Sequence, residues 1–367
     1  MNSFLDLHTS ADYRNTNRQY YKSTWECVNV TSAYMIPFQY STSVSDVDYA
    51  ISVFDTDDNE TDITTNFQGA ELITGWTETT TGTWTITGAQ IAASNALTGD
   101  YVTSNQFTLT KNKRIKITVD TTKFSNLGDW TLSIKKGSDI LEQEADWTTW
   151  DGTFHYVAAA TGSDYTITIG VADDGRTVTA TTPTGQQSLL YNSGNYWWYA
   201  GDELTSSALT GIFRLKIVHT STFYSDWCSA DTFTDKTKIK ISSSYDYGGI
   251  KYVDGYEQWT YKNAVVRRAP TAEIEITGDK LNGEIIEEKK VAAIRYKVTM
   301  KCTESEYEAL VHAMGGTLEI TDATGRVFNA VNIELTDATW YSSNGIVELS
   351  FVDSNNINVW TMNNSNL

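Results

Sequence analysis

Cysteine, proline and histidine are scarce in this chain of 367 residues, which has three, three and four of them. Cys27, Cys228 and Cys302 lie far apart, and none belongs to a Cys-x-x-Cys pair or has a histidine at ligand spacing. This pattern gives no support to a structural zinc site. Three prolines and 24 glycines also exclude collagen-like and proline-rich linker proteins. We expect no metal and no other cofactor.

Long hydrophobic runs are missing as well. The longest apolar stretches are only a few residues, far below the roughly 18 that a membrane-spanning helix needs. Met1 leads into a polar stretch with Asp6 and Arg14, without the apolar core of a signal peptide. The sequence therefore predicts no signal peptide and no membrane insertion.

Basic residues are outnumbered, because 27 lysines and arginines face 46 acids and the formal net charge is −19. This balance disfavours direct nucleic-acid binding, which needs clustered lysine and arginine. The charge is also uneven. Residues 23–110 contain 11 acids and no lysine or arginine, whereas residues 231–301 contain 13 bases and 11 acids. The asymmetry is compatible with opposite faces of neighbouring subunits meeting, and equally with acidic loops that keep the protein soluble.

What the sequence does contain is a succession of β-strand patterns. Residues 114–120, 165–170 and 295–301 alternate apolar residues with Lys, Arg, Ser or Thr, as half-buried antiparallel strands do. Asp174-Gly175 and Thr324-Gly325 are typical of hairpin turns. The sequence predicts an all-β fold of β-sandwich domains with one short helix.

That helix is predicted near residues 304–314. Thr303 and Glu306 have the spacing of a capping box, and Gly315-Gly316 would end the helix. At helical spacing, four residues fall on one apolar face: Tyr307, Leu310, Val311 and Met314.

The middle of the chain, residues 70–183, has a composition of its own. It is rich in threonine and glycine and has five tryptophans, namely Trp76, Trp84, Trp130, Trp147 and Trp150. Its short strands follow one another as in a sandwich of two antiparallel sheets. This order resembles the carbohydrate-binding-module-like jelly rolls of bacteriophage virion proteins and of secreted glycan-active proteins. The resemblance implies a β-sandwich insert that contacts host-surface glycan.

The flanking segments predict one discontinuous β domain, residues 1–69 plus 184–230, followed by a second, residues 231–367. In the first, an acidic turn at residues 55–62 precedes the strand 211–217 and the strand that contains Tyr224-Ser225-Asp226. This succession resembles tail proteins of bacteriophages that infect Bacteroidetes, of the distal-tail or baseplate-hub kind.

The resemblance implies a structural virion protein that is assembled in the cytoplasm of the bacterial host. It would form a cyclic homo-oligomer, a hexamer or a dodecamer, and bind other tail proteins and host-surface polysaccharide. An alternative from another class is a lectin-like, glycan-binding surface protein of a gut bacterium. That alternative requires export.

No catalytic residue can be named from the sequence. His8, His155, His219 and His312 have no companions at the spacings of zinc proteases, and neither a Gly-x-Ser-x-Gly elbow nor a phosphate-binding loop occurs. A glycan-cleaving enzyme would need two carboxylates in one cleft. With 46 acids, the sequence cannot single out such a pair, and we expect no enzymatic activity.

The acidic turn invites comparison with a calcium loop. Asp55, Asp57 and Asn59 match the first ligand positions of an EF-hand, but Glu60 replaces the required glycine and Asn66 the bidentate glutamate. A solvated hairpin turn is the favoured interpretation.

Aromatic clusters and an arginine pair complete the candidate sites. Tyr196, Trp197, Trp198 and Tyr199 are consecutive, so alternation on a strand would turn two of them outward to a partner subunit. Arg267 and Arg268 lie in the basic segment and are predicted to contact a neighbouring subunit. Trp130, Trp147 and Trp150 are the candidate sugar platform, with the core of a sandwich as their alternative.

Overall fold

The computed structural model describes residues 7–8, 25–29, 38–42, 46–78, 83–199, 211–231, 236–242, 246–247, 250–251, 257–277, 280–281, 284–285, 289–314, 317–336, 338–341, 344–356 and 358–361. By its internal contacts the chain divides into two compact units. The first unit comprises Met1–Tyr40, Ile51–Asp62 and Trp198–Leu367, and the second comprises Ser41–Ala50 and Ile63–Trp197. The predicted insert, residues 70–183, falls within the second unit.

Strands make up most of both units, so the predicted all-β fold class is confirmed. The strands up to residue 104 are β1 (Leu7–His8), β2 (Trp25–Asn29), β3 (Phe38–Ser41), β4 (Ala50–Phe54), β5 (Glu60–Asp62), β6 (Gln68–Glu71), β7 (Trp76–Glu78), β8 (Trp84–Thr87), β9 (Gln90–Ala96) and β10 (Tyr101–Ser104). Those up to residue 218 are β11 (Phe107–Leu109), β12 (Lys113–Thr118), β13 (Trp130–Lys136), β14 (Asp139–Glu144), β15 (Thr153–Val157), β16 (Gly162–Val171), β17 (Arg176–Thr181), β18 (Thr184–Ser193), β19 (Tyr196–Tyr199) and β20 (Gly211–Val218).

The remaining strands belong to the first unit. They are β21 (Thr222–Asp231), β22 (Thr237–Ser242), β23 (Asp246–Tyr247), β24 (Ile250–Lys251), β25 (Glu257–Lys262), β26 (Val266–Thr277), β27 (Lys280–Leu281), β28 (Glu284–Ile285), β29 (Lys289–Thr303), β30 (Thr317–Thr321), β31 (Val327–Leu335), β32 (Thr339–Tyr341), β33 (Asn344–Asp353) and β34 (Asn358–Thr361). Helix α1 spans Glu304–Ala313, where the capping box predicted it. Short 3-10 turns occupy Thr64–Phe67, Thr121–Lys123, Leu127–Asp129 and Ser354–Asn356.

The second unit is built from three sheets. One has the order β14-β13-β16-β10-β7, with β11 beside β16, and a small one has the order β17-β9-β8. The third has the order β15-β12-β18-β19-β3, with β6 beside β18; the chain passes from one unit to the other within β19 and β3.

One hydrophobic core of the second unit joins strands β8 to β13 and β15 to β17. In β13, Trp130, Leu132 and Ile134 are buried at alternate positions, and β12 contributes Ile115 and Ile117. This period of two is what places one face of each sheet in the core. The sheets therefore pack as a sandwich, as the alternation in the sequence predicts.

A nine-stranded antiparallel sheet dominates the first unit. Its order is β25-β22-β30-β31-β33-β29-β26, with β32 beside β33 and β34 beside β29. In β29, Tyr296, Val298 and Met300 are buried while Thr299 and Lys301 are exposed. One face of the sheet is thus a core face and the other is polar. A second sheet of this unit, with the order β1-β21-β20-β4-β5, carries the acidic turn between β4 and β5.

Helix α1 contradicts the predicted apolar face. Leu310 is buried as expected, but Val311 is 40% exposed and Met314 is 43% exposed. The face turned inward carries Glu306, Ala309, Leu310 and Ala313. The sequence pattern misled because a glutamate takes a buried position that apolar residues usually fill.

Glu306 is held in the interior by a set of polar partners, here called the Glu306 cluster: Glu306, Lys262, Thr260 and Thr303. Its carboxylate accepts hydrogen bonds from Lys262 Nζ at 2.6 Å and from Thr260 Oγ1 at 2.7 Å. It also accepts one from the Thr303 backbone N–H at 2.8 Å, and the Glu306 N–H donates back to Thr303 Oγ1. The predicted capping box is therefore confirmed, and it ties the helix to β25 as well.

The two predicted hairpin turns have different outcomes. Thr324-Gly325 joins β30 and β31, which pair antiparallel, so that prediction is confirmed. At Asp174-Gly175 the prediction is wrong, because β16 and the following β17 belong to different sheets. Gly175 has a φ of +78°, which reverses the chain without deciding which strands pair.

Candidate functional site

Arg267 and Arg268 lie on β26, an outer strand of the nine-stranded sheet, and both side chains are exposed. Arg267 is opposite Lys297 of β29, Arg268 is opposite Tyr296, and the register shifts between Arg268 and Ala272. The pair therefore stands at the rim of the sheet, where another molecule can reach it.

The two arginines border a concavity of about 610 Å³ whose walls also include Lys297, Thr299 and Glu348. We call Arg267, Arg268 and Lys297 the basic groove. Lys297 Nζ lies 2.6 Å from Glu348 Oε1, so the lysine is already neutralised. Across the described ranges, neither arginine makes an ion pair or a side-chain hydrogen bond. Arginine side chains form charge-assisted, often bidentate hydrogen bonds with a carboxylate.

The acidic turn, Asp55–Asn59, connects β4 to β5 in the same unit. Asp55 Oδ1 accepts hydrogen bonds from the backbone N–H groups of Asp57, at 2.8 Å, and of Asn59, at 2.9 Å. Asp55 Oδ2 accepts one from Asn59 Nδ2 at 2.8 Å. The side-chain and backbone hydrogen bonds from Asn59 lower the pKa of Asp55. Because hydrogen-bond donors occupy both carboxylate oxygens, the turn has the form of the solvated hairpin favoured from the sequence.

Asp55, Asp57 and Asp58 are all exposed. Asp55 is held by N–H groups of the turn itself, and the other two carboxylates are those of Asp57 and Asp58. Neither lies within ion-pair distance of a described cation, and Asp58 acts on Arg214 only at longer range. Asp58 has a φ of +62°, a left-handed conformation that aspartate tolerates better than most residues. The first unit thus presents an unneutralised acidic turn and an unneutralised arginine pair.

The candidate sugar platform lies in the core instead. Trp130 and Trp147 are 0% exposed, so neither ring offers a face to a sugar. They stack on each other with ring centres 6.4 Å apart, and Phe124 packs edge-on to both. Their indole N–H groups donate to the carbonyls of Ser125 and Glu144. Trp130 and Trp147 are therefore core residues of the sandwich, which was the alternative interpretation from the sequence.

Trp150 is the only partly exposed member of the trio. Its ring lies 5.0 Å from that of Trp147, and its Nε1 donates to the Thr153 carbonyl at 2.6 Å. One half-buried ring does not make the flat platform that the sequence suggested for a pyranose.

The four consecutive aromatics of β19 are also largely internal. Trp197 and Trp198 are 0% exposed and Tyr199 is 1% exposed, while Tyr196 is half-buried. Trp197 packs edge-on to Tyr49 with ring centres 6.0 Å apart. Strand alternation predicted that one of the two tryptophans would face outward, but both are buried within the chain. The prediction of an outward-facing tryptophan is therefore wrong.

The densest group of titratable side chains lies in the second unit and was not foreseen. We call it the Asp48 cluster: Asp48, Arg114, Lys116 and His155. The Asp48 carboxylate accepts a very short hydrogen bond from Lys116 Nζ and lies 3.5 Å from Arg114 Nη2 and 3.3 Å from His155 Nε2. Strand register creates the group, because β12 and β15 place Lys116 opposite His155. No spacing in the sequence signals it.

The cluster also forms hydrogen bonds with the backbone of the segment before β4. Arg114 Nη1 donates to the Val47 carbonyl at 2.7 Å, and His155 Nδ1 donates to the Asp46 carbonyl. The Arg114 guanidinium stacks over the rings of Tyr49 and Trp197 at 5.3 and 5.0 Å. These contacts hold the segment 46–49 against the sheet that contains β12 and β15.

Burial and charge set the protonation of the cluster. Burial lowers the pKa of His155 and the Arg114 charge adds to this, against the opposing pull of the Asp46 carbonyl and Asp48. For Asp48, burial raises the pKa, but the hydrogen bond from Lys116 and the charges of Lys116, His155 and Arg114 together bring it below its ordinary value. At neutral pH the cluster therefore holds a carboxylate, two cations and a neutral imidazole.

The hydroxyl groups beside the cluster are engaged in hydrogen bonds within the chain. The nearby Ser188 hydroxyl is 2.7 Å from the Tyr49 hydroxyl, which donates to the Phe67 carbonyl, and burial raises the pKa of Tyr49 to about 12. The adjoining cavity, lined by Asp48, Tyr49 and Arg114 among others, is only about 100 Å³, below the roughly 300 Å³ of a small-molecule site. The hydrogen bonds of the cluster hold the chain segment 46–49.

Metal and membrane candidates are equally limited in the residues that the structure describes. Within them, no group of three or more His, Cys, Asp or Glu side chains is placed to hold a metal ion. The helices found there include none that is long and apolar enough to cross a membrane.

Comparison of this chain with models of protein families, with curated proteins and with solved structures finds no match in any of the three. The described surface of the first unit carries both the basic groove and the acidic turn.

Proposed function

We propose that the chain is a structural subunit of a bacteriophage tail, where it forms a closed homo-oligomeric ring. The observation that carries the proposal is the coexistence of an exposed arginine pair and an exposed aspartate pair, both without ion-pair partners in the described chain. Two different, complementary surfaces on one subunit are what a head-to-tail contact requires. Such contacts close into a ring when the rotation from copy to copy divides a full turn.

The internal use of the other candidate residues supports the same function. Trp130, Trp147, Trp197 and Trp198 are core residues, and the Asp48 cluster fixes a backbone segment. What remains exposed and unneutralised is charge suited to another macromolecule. Charged surfaces of this kind govern specificity and the rate of encounter more than raw affinity.

Native mass spectrometry and size-exclusion chromatography of the purified chain test the proposal. We expect one closed species at six or twelve times the chain mass of 40.9 kDa, visible as rings by negative-stain electron microscopy. A species that stays monomeric at all accessible concentrations, in 0.1 M salt, would contradict it. Pull-down of other tail proteins from a phage lysate would then place the ring in the virion.

A further inference from the structure

The exposed arginines and aspartates of the first unit lead to a specific contact. We infer that the acidic turn of one subunit binds the basic groove of the next subunit. This inference rests on the proposed ring, and it names the residues that would hold the ring together.

Charge complementarity is the first argument. The groove's cations, Arg267, Arg268 and Lys297, have one carboxylate among them, Glu348, which Lys297 already engages. The turn offers Asp57 and Asp58, whose carboxylates have no cation within ion-pair distance among the described residues. Each surface therefore carries two charges that make no ion pair within the described part of the subunit, and Asp58 acts on Arg214 only at longer range. Arginine is also the cation best suited to bidentate binding of a carboxylate.

Shape is the second argument. The concavity of about 610 Å³ is open and large enough for the side chains of a tight turn. The turn is a hairpin connection of five residues, Asp55–Asn59, between two antiparallel strands, and its carboxylates are exposed. A convex acidic element thus matches a concave basic one.

Rigidity of the turn is the third argument. The Asp55 side chain binds the backbone N–H groups of Asp57 and Asn59, and the Asp55 N–H donates to the Asn59 carbonyl at 3.2 Å. These bonds fix the loop before any partner arrives. A loop that is already ordered loses less conformational entropy on binding, so its few charges are more effective.

Charge-exchanged variants test the contact. The groove variant is Arg267→Glu/Arg268→Glu, and the turn variant is Asp57→Lys/Asp58→Gly, in which glycine accommodates the φ of +62° at residue 58. The matched control, Lys111→Glu/Lys123→Glu, changes two exposed lysines of the second unit and alters net charge as much as the groove variant does. Far-ultraviolet circular dichroism and thermal melting establish that each variant is folded.

Each variant alone should assemble more weakly than the native chain, because like charges then face each other. In 0.1 M salt we expect the concentration for half-assembly to rise about tenfold or more, as a loss of about 1.4 kcal/mol would produce. Mixing the two variants in equal amounts should restore rings with alternating subunits, since every contact then pairs opposite charges. The control should assemble like the native chain.

The outcomes separate this contact from the ring itself. A native chain that never assembles overturns the proposed function. Single variants that both half-assemble at the concentration of the native chain would leave the ring standing and overturn the contact. A mixture that fails to assemble although each variant is folded would do the same. Loss of assembly in the groove variant alone would also overturn it, because the groove would then bind something other than the turn.

Discussion

The Glu306 cluster lies in the first unit and the Asp48 cluster in the second. Each pairs a carboxylate with cations, but the carboxylate of Glu306 is buried and that of Asp48 is half-exposed. The Glu306 side chain is 0% exposed and that of Lys262 is 9% exposed. Asp48 is 52% exposed, although the side chains of Arg114 and His155 around it are 4% and 5% exposed. A buried charge needs all its hydrogen-bond and ion-pair partners from the chain, whereas a half-exposed charge is also solvated by water.

The surroundings of a cation distinguish the arginine pair on β26 from the cations of both clusters. A cation that stabilises the subunit is accompanied by carbonyls, carboxylates or aromatic rings of the same chain, as Arg114 is. Arg267 and Arg268 have no such company in the part of the chain that the structure describes. Their contribution is therefore expected in assembly and not in folding.

The largest expected effect is that of Glu306→Ala, which leaves the Lys262 ammonium buried without its carboxylate. Breaking a buried pair in this way costs about 3–5 kcal/mol of unfolding free energy. Urea unfolding followed by circular dichroism measures it. Glu308→Ala, which removes an exposed glutamate of the same helix, is the control and should cost about 1 kcal/mol or less, as the loss of an exposed charge does.

A double variant sharpens this result. In Glu306→Leu/Lys262→Met both charges are replaced by apolar side chains of similar size, so most of the loss should be recovered. A double variant as unstable as Glu306→Ala would mean that the hydrogen bonds to Thr260 and Thr303, not the charge, carry the effect.

A smaller effect is expected for Asp48→Ala. The carboxylate is half-exposed, and Arg114 keeps the Val47 carbonyl and two aromatic rings as partners. We expect a loss of about 1 kcal/mol by the same measurement. A loss as large as that of Glu306→Ala would contradict the expectation that the half-exposed carboxylate contributes less to stability than the buried one.

The burial of His155 should make the free energy of unfolding depend on pH. Because burial lowers its pKa in the folded chain, the unfolded chain takes up the proton first as the pH falls below about 6.5. The free energy of unfolding should therefore decrease through this window, until the folded-state pKa is also passed. His155→Gln should flatten the profile between pH 7 and 5, and superimposable profiles for the two proteins would contradict the prediction.

The smallest effect on stability is expected for Arg267→Glu/Arg268→Glu. Exposed side chains without ion pairs in the described chain should change the unfolding free energy of the monomer by no more than about 0.5 kcal/mol. Thermal melting at a concentration below assembly measures it. A melting temperature far below that of the native chain would mean that the arginines stabilise the fold, against the distinction drawn above.

Local signals explain what the sequence predicted well. The strands at 114–120, 165–170 and 295–301 lie in β12, β16 and β29, because alternation of apolar and polar residues is a property of the strand itself. Thr303 and Glu306 located the start of α1 for the same reason: a capping box is closed within four residues.

Non-local packing explains the errors. The buried face of α1 depends on Lys262 and Thr260 of a distant strand, so no helical periodicity could reveal it. The alternation argument for Trp197 and Trp198 assumed one solvated face, yet both residues are buried. The Asp48 cluster unites residues from 48, 114–116 and 155, which only strand register brings together. The predicted subunit contact at Arg267 and Arg268 stays a prediction.

The shift of register on β26 has a consequence for how copies of this chain can meet. An outer strand with a regular backbone invites another strand to pair beside it, and such pairing repeats without limit. Between Arg268 and Ala272 the ladder is interrupted, and Pro270, which lies there, has no N–H to donate. Regular pairing with a further strand is therefore disfavoured at this part of the rim. Growth into fibres is disfavoured there, and an assembly of fixed size remains open to the chain.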